Sequence, residues 1–406
     1  MLYNAFQAQN NLLNIARMQA MPMAGWLAHP FAWQNGAYIM RKWAAAMDLF
    51  ARATTTHRRP EFGIDQVRIG GEMVPVRERV ALRLPFANLL HFEKERSQEQ
   101  PRVLVVAPLS GHFATLLRGT VQTLLPDHDV YITDWLNARD VPLENGSFDL
   151  DDFIDHTIAC IEALGHGCHV LAVCQPTVGV LAAIAVMAQA RNPAQPASMT
   201  LMAGPIDTRL NPTKVNDLAK SQSIDWFERN LIAKVPPGYA GVGRRVYPGF
   251  MQLTAFLSMN FDKHMKAHLN QYENLVNGEA DKVATHRIFY DEYFAVMDLD
   301  AAFYLQTVAQ VFQEHALPLG VMQFRGARIE PAAIRRTALF TVEGELDDIC
   351  AIGQTMAALD LCEGISPFMK QHHLQTGVGH YGVFNGRRWA GEIYPKVRAF
   401  IQAHTR

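Results

Sequence analysis

The chain has 406 residues, of which 49% are hydrophobic and 19% charged, with a formal net charge of -2. That apolar share can build a large core and excludes wholesale disorder, while the nearly balanced charge gives no sign of a nucleic-acid surface. The five cysteines (Cys160, Cys168, Cys174, Cys350 and Cys362) are odd in number and form no C-x-x-C pair. This argues against a disulfide framework or a structural zinc site and fits a reducing cytoplasm.

Residues 1–60 read as an apolar, helical N-terminal extension. They carry Met18, Met21, Met23, Trp26, Phe31, Trp33, Tyr38, Met40, Trp43, Met47 and Phe50 with few charges. Residues 36–52 have the pattern of an amphipathic helix. Two readings stay open: an extension packed on the core, or a surface that adsorbs to a hydrophobic body. No basic n-region precedes an apolar core, and no stretch nears the roughly 18 uninterrupted apolar residues of a membrane span. The chain is expected to stay in the cell without a transmembrane segment.

Next come apolar or alternating runs at 67–69, 77–84, 102–108, 130–135, 168–174 and 199–204, then 337–343 and a short one at 374–377, each read as a strand. Helices are expected between them, at 148–164 with Asp149, Asp151 and Asp152 at the favourable end, and at 178–190. Alternation of this kind predicts an α/β fold with a mostly parallel central sheet covered on both faces. It breaks at 205–336, a block rich in aromatics and methionines, including Trp226, Tyr247, Phe250, Phe256, Phe289, Tyr293 and Phe312. This block is read as a large helical cap (lid) inserted between core segments 61–204 and 337–406, over the sheet edge where α/β enzymes keep their sites. Most of its aromatics should be cap core, and a few should line an apolar groove.

The segment His169-Val-Leu-Ala-Val-Cys174-Gln-Pro-Thr-Val-Gly179 reads as a buried strand turning directly into a helix, with Cys174 at the turn. A nucleophile there is the elbow of an α/β-hydrolase. A thiol replaces the usual hydroxyl, and Ala172 and Pro176 stand where G-x-S-x-G has glycines. The fold orders its triad as nucleophile, acid, histidine. After the 337–343 strand comes Glu343-Gly-Glu-Leu-Asp347-Asp-Ile, with Asp347 the first candidate for the acid and Asp348 the second. Near the C-terminus, Gly377-Val-Gly-His380-Tyr-Gly382 supplies a glycine-flanked histidine. His166 and His169 would lie at the wrong strand end, His372 and His373 should be surface residues before the last strand, and His112 could help shape the site.

Each role follows from physical need. A free thiol ionises near ~8.5, so Cys174 needs His380 to take its proton or to pair with the thiolate. Asp347 would fix the imidazole tautomer and stabilise its charged form. A tetrahedral intermediate needs preorganised N–H donors. These are expected from Gln175 and from the loop after the first core strand, at Leu109 or Ser110. No cofactor or metal is called for.

The segments around Cys174, Asp347 and His380 resemble those of the intracellular polyhydroxybutyrate (PHB) depolymerases with a cysteine nucleophile, and the likeness extends over nearly the whole chain. The resemblance implies Cys174 as nucleophile, Asp347 as acid and His380 as base. It further implies attack on the ester bonds of storage-granule poly(3-hydroxybutyrate), release of 3-hydroxybutyrate oligomers or monomer, a cytoplasmic granule-associated location, and the polyester granule surface as partner; homo-oligomerisation stays open. Two alternatives are a polyhydroxyalkanoate synthase-like acyltransferase, whose glycine-flanked cysteine box is not matched by Ala172 and Pro176, and a non-catalytic granule-associated protein, against which an ordered triad argues.

Overall fold

The computed structural model describes residues 2–28, 37–95, 99–259 and 261–405. Phe31, Trp33 and Gly36 lie outside the described residues. The chain opens with helices α1 (Leu2–Ala28) and α2 (Ala37–Arg52). Strands β1 (Gln66–Ile69), β2 (Glu72–Arg83), β3 (Ala87–Lys94) and β4 (Arg102–Val106) follow, then helix α3 (Arg118–Leu124) and β5 (Asp129–Trp135). Helix α4 (Leu150–Leu164), β6 (His169–Val173), α5 (Pro176–Gln189) and β7 (Ser198–Met202) complete the first part of the core.

Between β7 and the next core strand stand α6 (Lys214–Lys220), α7 (Ile224–Leu231), β8 (Ala233–Lys234), β9 (Arg245–Tyr247), α8 (Gly249–Met259), α9 (Phe261–Asn277), α10 (Ala280–Tyr293), β10 (Leu299–Asp300), α11 (Ala301–Thr307), β11 (Gln323–Phe324) and β12 (Ala327–Arg328). Strands β10, β9 and β8 pair as a small antiparallel sheet. The core resumes with β13 (Ala338–Gly344), α12 (Ala358–Leu361), β14 (Lys370–Gln375), α13 (Gly386–Arg388) and α14 (Tyr394–His404).

The central sheet has nine strands in the order β1-β2-β3-β5-β4-β6-β7-β13-β14. It is antiparallel from β1 to β5 and parallel from β5 to β14. Strands β6, β7 and β13 are buried along their whole length, which explains their unbroken apolar runs. A mostly parallel sheet flanked by helices, with a positive-φ cysteine at the end of a central strand, is the α/β-hydrolase fold.

Two strands depart from the sequence reading. β3 carries Asn88, His91, Glu93 and Lys94 among its apolar residues, so no clean period announces it, yet it pairs with β2 and β5. β14 starts at Lys370, ahead of the expected 374. His372 and His373 therefore sit within the strand, opposite Thr341 and Val342. Strand β14 is an edge strand with only a half-buried face, so its sequence is polar.

Helix ends follow local chemistry. Asp149 caps α4 by accepting from Asp152 N at 2.9 Å, while Asp152 Oδ2 accepts from Asp149 N at 3.0 Å. This reciprocal pair sets the start at Leu150. At the N-terminus, Tyr3 donates to Asp298 Oδ2 at 2.6 Å and Phe6 stacks on Phe250 with ring centroids 3.8 Å apart, so α1 is pinned to the root of the inserted block. Arg287 of α10 reaches Asp48 of α2 at 2.8 Å.

Candidate active site

Cys174 sits one residue beyond β6 with φ 66°, in the left-handed region. For a residue with a Cβ that conformation costs about 1–3 kcal/mol and needs surrounding support. Its N–H donates to the Met202 carbonyl at 2.8 Å, and its own carbonyl accepts from Thr177 N at 3.1 Å. Gln175 is already helical, with φ -48° and ψ -42°, and Pro176 takes the first helical position, where a missing N–H costs nothing. Helix α5 thus begins two residues before the expected 178, with the Gln175 N–H in its first turn. The room that flanking glycines usually provide is found on the neighbouring strand end. A Cβ on Gly204 would fall inside the Thr177 side chain.

The acid and histidine meet on adjoining loops. His380 Nδ1 lies 2.8 Å from Asp347 Oδ2. The other carboxylate oxygen, Asp347 Oδ1, accepts from Ile349 N at 2.9 Å and Cys350 N at 2.8 Å. Asp348 points elsewhere: its side chain is half exposed, 3.7 Å from Lys263. The two loops are stitched by Leu346 N to the Val378 carbonyl at 2.9 Å and Gly377 N to Glu345 Oε2 at 2.8 Å. Gly344 permits this approach, since a Cβ there would stand 2.8 Å from the Val378 carbonyl oxygen. Beneath the acid loop, the fully buried carboxylate of Glu343 accepts from the backbone of Gly353, Thr355 and Met356 at 2.8–3.0 Å.

Cys174, Cys350 and His380 lie close enough to shift one another's ionisation. The neighbouring Cys350 thiol does most to lower the Cys174 pKa. Burial opposes it, and the charged His380 ring and the Gln175 N–H add to it, so Cys174 ionises well below an ordinary thiol. Burial works against a charged His380, but the Asp347 carboxylate, followed by Cys174, overcomes it and holds the imidazolium well above the usual range. Both shifts favour the charged forms, thiolate and imidazolium. Cys350 moves the opposite way, pushed well up by Cys174 and by burial.

The register Val106–Ala172 between β4 and β6 carries the chain after β4 past the same sheet edge as the elbow. There the amides of Leu109 and Ser110 donate to no backbone or side-chain acceptor among the described residues. Residues between β7 and β13 hold this loop: Met297 N donates to the Gly111 carbonyl at 2.9 Å, and Gln252 of α8 packs against Gly111. His112 is buried, with its ring against Phe256 and Tyr293 and Nε2 3.1 Å from the Tyr293 carbonyl oxygen. Burial pushes its pKa down to about 4, so it braces the loop as a neutral ring. Phe289 and Tyr293 of α10 stack at 5.4 Å, and Phe289 meets Tyr381, next to His380, at 6.3 Å.

The other histidines stay apart. His169 Nδ1 lies 2.8 Å from Ser198 Oγ at the opposite end of the strands, and a cavity of about 1560 Å³ at that end is lined by His91, Lys94, Arg102, His166 and His404. No group of three or more His, Cys, Asp or Glu residues among the described residues is placed to hold a metal ion. Sequence reasoning missed Cys350 and Glu343. Their signal was position: both flank Asp347 in Glu343-Gly-Glu-Leu-Asp347-Asp-Ile-Cys350.

Residues 203–405 match the family described as PHB de-polymerase C-terminus. No curated protein matches the chain. Among solved structures, the chain is similar to an epoxide hydrolase from Bacillus megaterium (13% identity, TM-score 0.44, covering 79% of this chain and 99% of that one). It is also similar to a thermophilic esterase from Thermogutta terrifontis (11%, 0.43, 82% and 99%) and to naproxen esterase from Bacillus subtilis (12%, 0.42, 89% and 98%). Likeness of overall fold does not specify chemistry, which resides in the site.

Proposed function

The chain belongs to the PHB depolymerase family of carboxylic ester hydrolases, and from that membership we propose that it cleaves the esters of poly(3-hydroxybutyrate) storage granules through an acyl-cysteine intermediate. The observation that supports this reading is the His380–Asp347 pair at 2.8 Å, together with Cys174 held at positive φ on a strand-to-helix elbow.

In this reading the Cys174 thiolate attacks the ester carbonyl. The N–H groups of Gln175 and of Leu109 or Ser110 receive the developing oxyanion, each donor being worth about 3–4 kcal/mol in a preorganised site. His380 passes its proton to the leaving hydroxyl of the 3-hydroxybutyrate unit, leaving a thioester on Cys174. It then draws a proton from water, which attacks the thioester and frees the acyl product. Asp347 holds the imidazole through Nδ1 during both steps. The aromatic wall of Phe289, Tyr293 and Tyr381 suits the apolar polyester. The apolar N-terminal helices suit adsorption to a granule that cannot diffuse to the enzyme, placing the protein in the cytoplasm at the granule surface.

The test mixes the protein with amorphous PHB granules and follows turbidity and released acid beside a Cys174→Ala variant. Wild type should clear the suspension, and the variant should be slower by at least about a thousandfold. Undiminished clearing by the variant would sink Cys174 as nucleophile. Absence of clearing by a folded wild type that still cleaves a short soluble ester would sink the granule substrate.

A further inference from the structure

Strand β5 ends at the same sheet edge as the elbow, since β4, β5 and β6 run parallel. Beyond its end, a cavity of about 470 Å³ lies between residues 134–142, Phe113 and the segment 57–59. Open α/β sheets bind ligands outside this edge, and small-molecule sites span about 300–1,000 Å³. The walls supplied by Phe113, Trp135 and Val141 are apolar and buried. None of Cys174, Asp347 and His380 lines the cavity.

Arg139 lines it and is only 9% exposed. Its guanidinium lies over the Tyr239 ring, 4.3 Å from the centroid. Its Nε is buried with no hydrogen-bond partner, the half-exposed Asp140 carboxylate stands 3.7 Å away, and Tyr3 is a further polar neighbour. Most of the five donors of the fork therefore lack an acceptor among the described residues. The buried Arg244 shows the contrast: it donates to the carbonyls of Val141, Pro142 and Gly146 and to Asp300 at 2.6–3.3 Å. Arg59 is also engaged, by Asp134 at 2.8 Å and Glu78 at 3.0 Å. Asn137, another lining residue, carries a buried Nδ2 without a partner. Arg58 is exposed at the lining, and its side chain makes no ion pair among the described residues. A buried guanidinium is costly unless a charged acceptor meets its fork, and a carboxylate does so with two parallel hydrogen bonds.

We propose that this cavity is a binding site for a small carboxylate with a short apolar chain, its charged end on Arg139 and Asn137 and its chain against Phe113, Trp135 and Val141. A free short acid and the carboxyl end of a longer chain share this chemistry. The site does not need Cys174 as nucleophile; only the choice of 3-hydroxybutyrate among the probes rests on the polyester reading.

The experiment uses the full-length Cys174→Ala protein, chosen so that no ester probe is consumed. It is titrated with butyrate, 3-hydroxybutyrate, the linear 3-hydroxybutyrate dimer and the methyl ester of 3-hydroxybutyrate, and binding is followed on the ligands by NMR. The acids should bind about tenfold or more tightly than the methyl ester, and Arg139→Gln should weaken them by about tenfold. Should that variant fail to fold, Arg58→Ala at the surface takes its place and should weaken them by about twofold or more. Arg336→Gln, in the large cavity at the opposite strand ends, should change nothing. A dimer that binds tighter than the monomer assigns the site to chain ends, and equal affinities assign it to the free acid. No binding of any acid up to about 10 mM, equal binding of acid and ester, or binding untouched in the Arg139 variant or its replacement overturns the site. Butyrate binding without 3-hydroxybutyrate binding upholds the site and counts against the polyester reading. Consumption of the dimer by Cys174→Ala would refute the nucleophile and leave the site standing.

Discussion

At Asp347 each carboxylate oxygen has one task. Oδ1 takes the two loop amides of Ile349 and Cys350, and Oδ2 takes His380. Its neighbour Asp348 is turned outward toward Lys263. Asp347→Asn should keep the loop but remove the charge that holds His380 protonated. We expect kcat on a soluble ester to fall by about a hundred- to ten-thousandfold. The imidazolium pKa should also fall, and because the thiolate–imidazolium pair survives only below that pKa, the alkaline limb of the pH–rate profile should move to lower pH. Asp348→Asn should change neither. A pH–rate profile of both variants decides it, and equal losses would refute the assignment. In the sequence the two aspartates are adjacent and chemically identical. Only the path of the loop, set by Gly344 lying against Val378, separates them.

Among the elements, the strand-to-helix unit of β6 and α5 was legible because a buried strand needs a continuous apolar run and α5 is buried around most of its circumference. Its tolerance of Ala172 and Pro176 was not, because the space is supplied by Gly204 after β7, distant along the chain. Gly204→Ala should force Thr177 off the elbow, cost about 1–3 kcal/mol of stability by overpacking and lower activity in the same variant. Urea denaturation checks the first effect and ester hydrolysis the second. An unchanged midpoint would show that the elbow has slack. Strand β3 and the start of β14 escaped the sequence reading for a related reason. Their polar residues are accommodated by pairing partners and edge exposure, which periodicity does not encode.

For the whole molecule, the N-terminal helices pack on the inserted block along part of their surface and leave apolar side chains exposed along another. Tyr3, Phe6 and Asp48 pack or bond to the inserted block, while Leu12, Ile15, Met18 and Trp43 are each more than half exposed. Phe261, Leu269 and Ile288 of the cap helices are also exposed. Replacing Leu12, Ile15, Met18 and Trp43 with serine should spare hydrolysis of a soluble ester within about twofold and weaken co-sedimentation with amorphous PHB granules by about tenfold or more, since each buried apolar side chain is worth about 1.5–3 kcal/mol. Equal loss of both would mean that these residues support folding instead of adsorption. This variant is a cleaner test than deleting residues 1–50, because deletion would also strip Tyr3 from Asp298 and uncover Phe250. By itself the sequence determined the alternating α/β core, because local period repeats within a few residues, and it named Cys174, Asp347 and His380 as candidates in that chain order. Which aspartate meets the histidine and how the elbow dispenses with its glycines were decided only in three dimensions. Those contacts join residues far apart in the chain, and only the packing of β6, β7 and β13 side by side brings their loops to one edge.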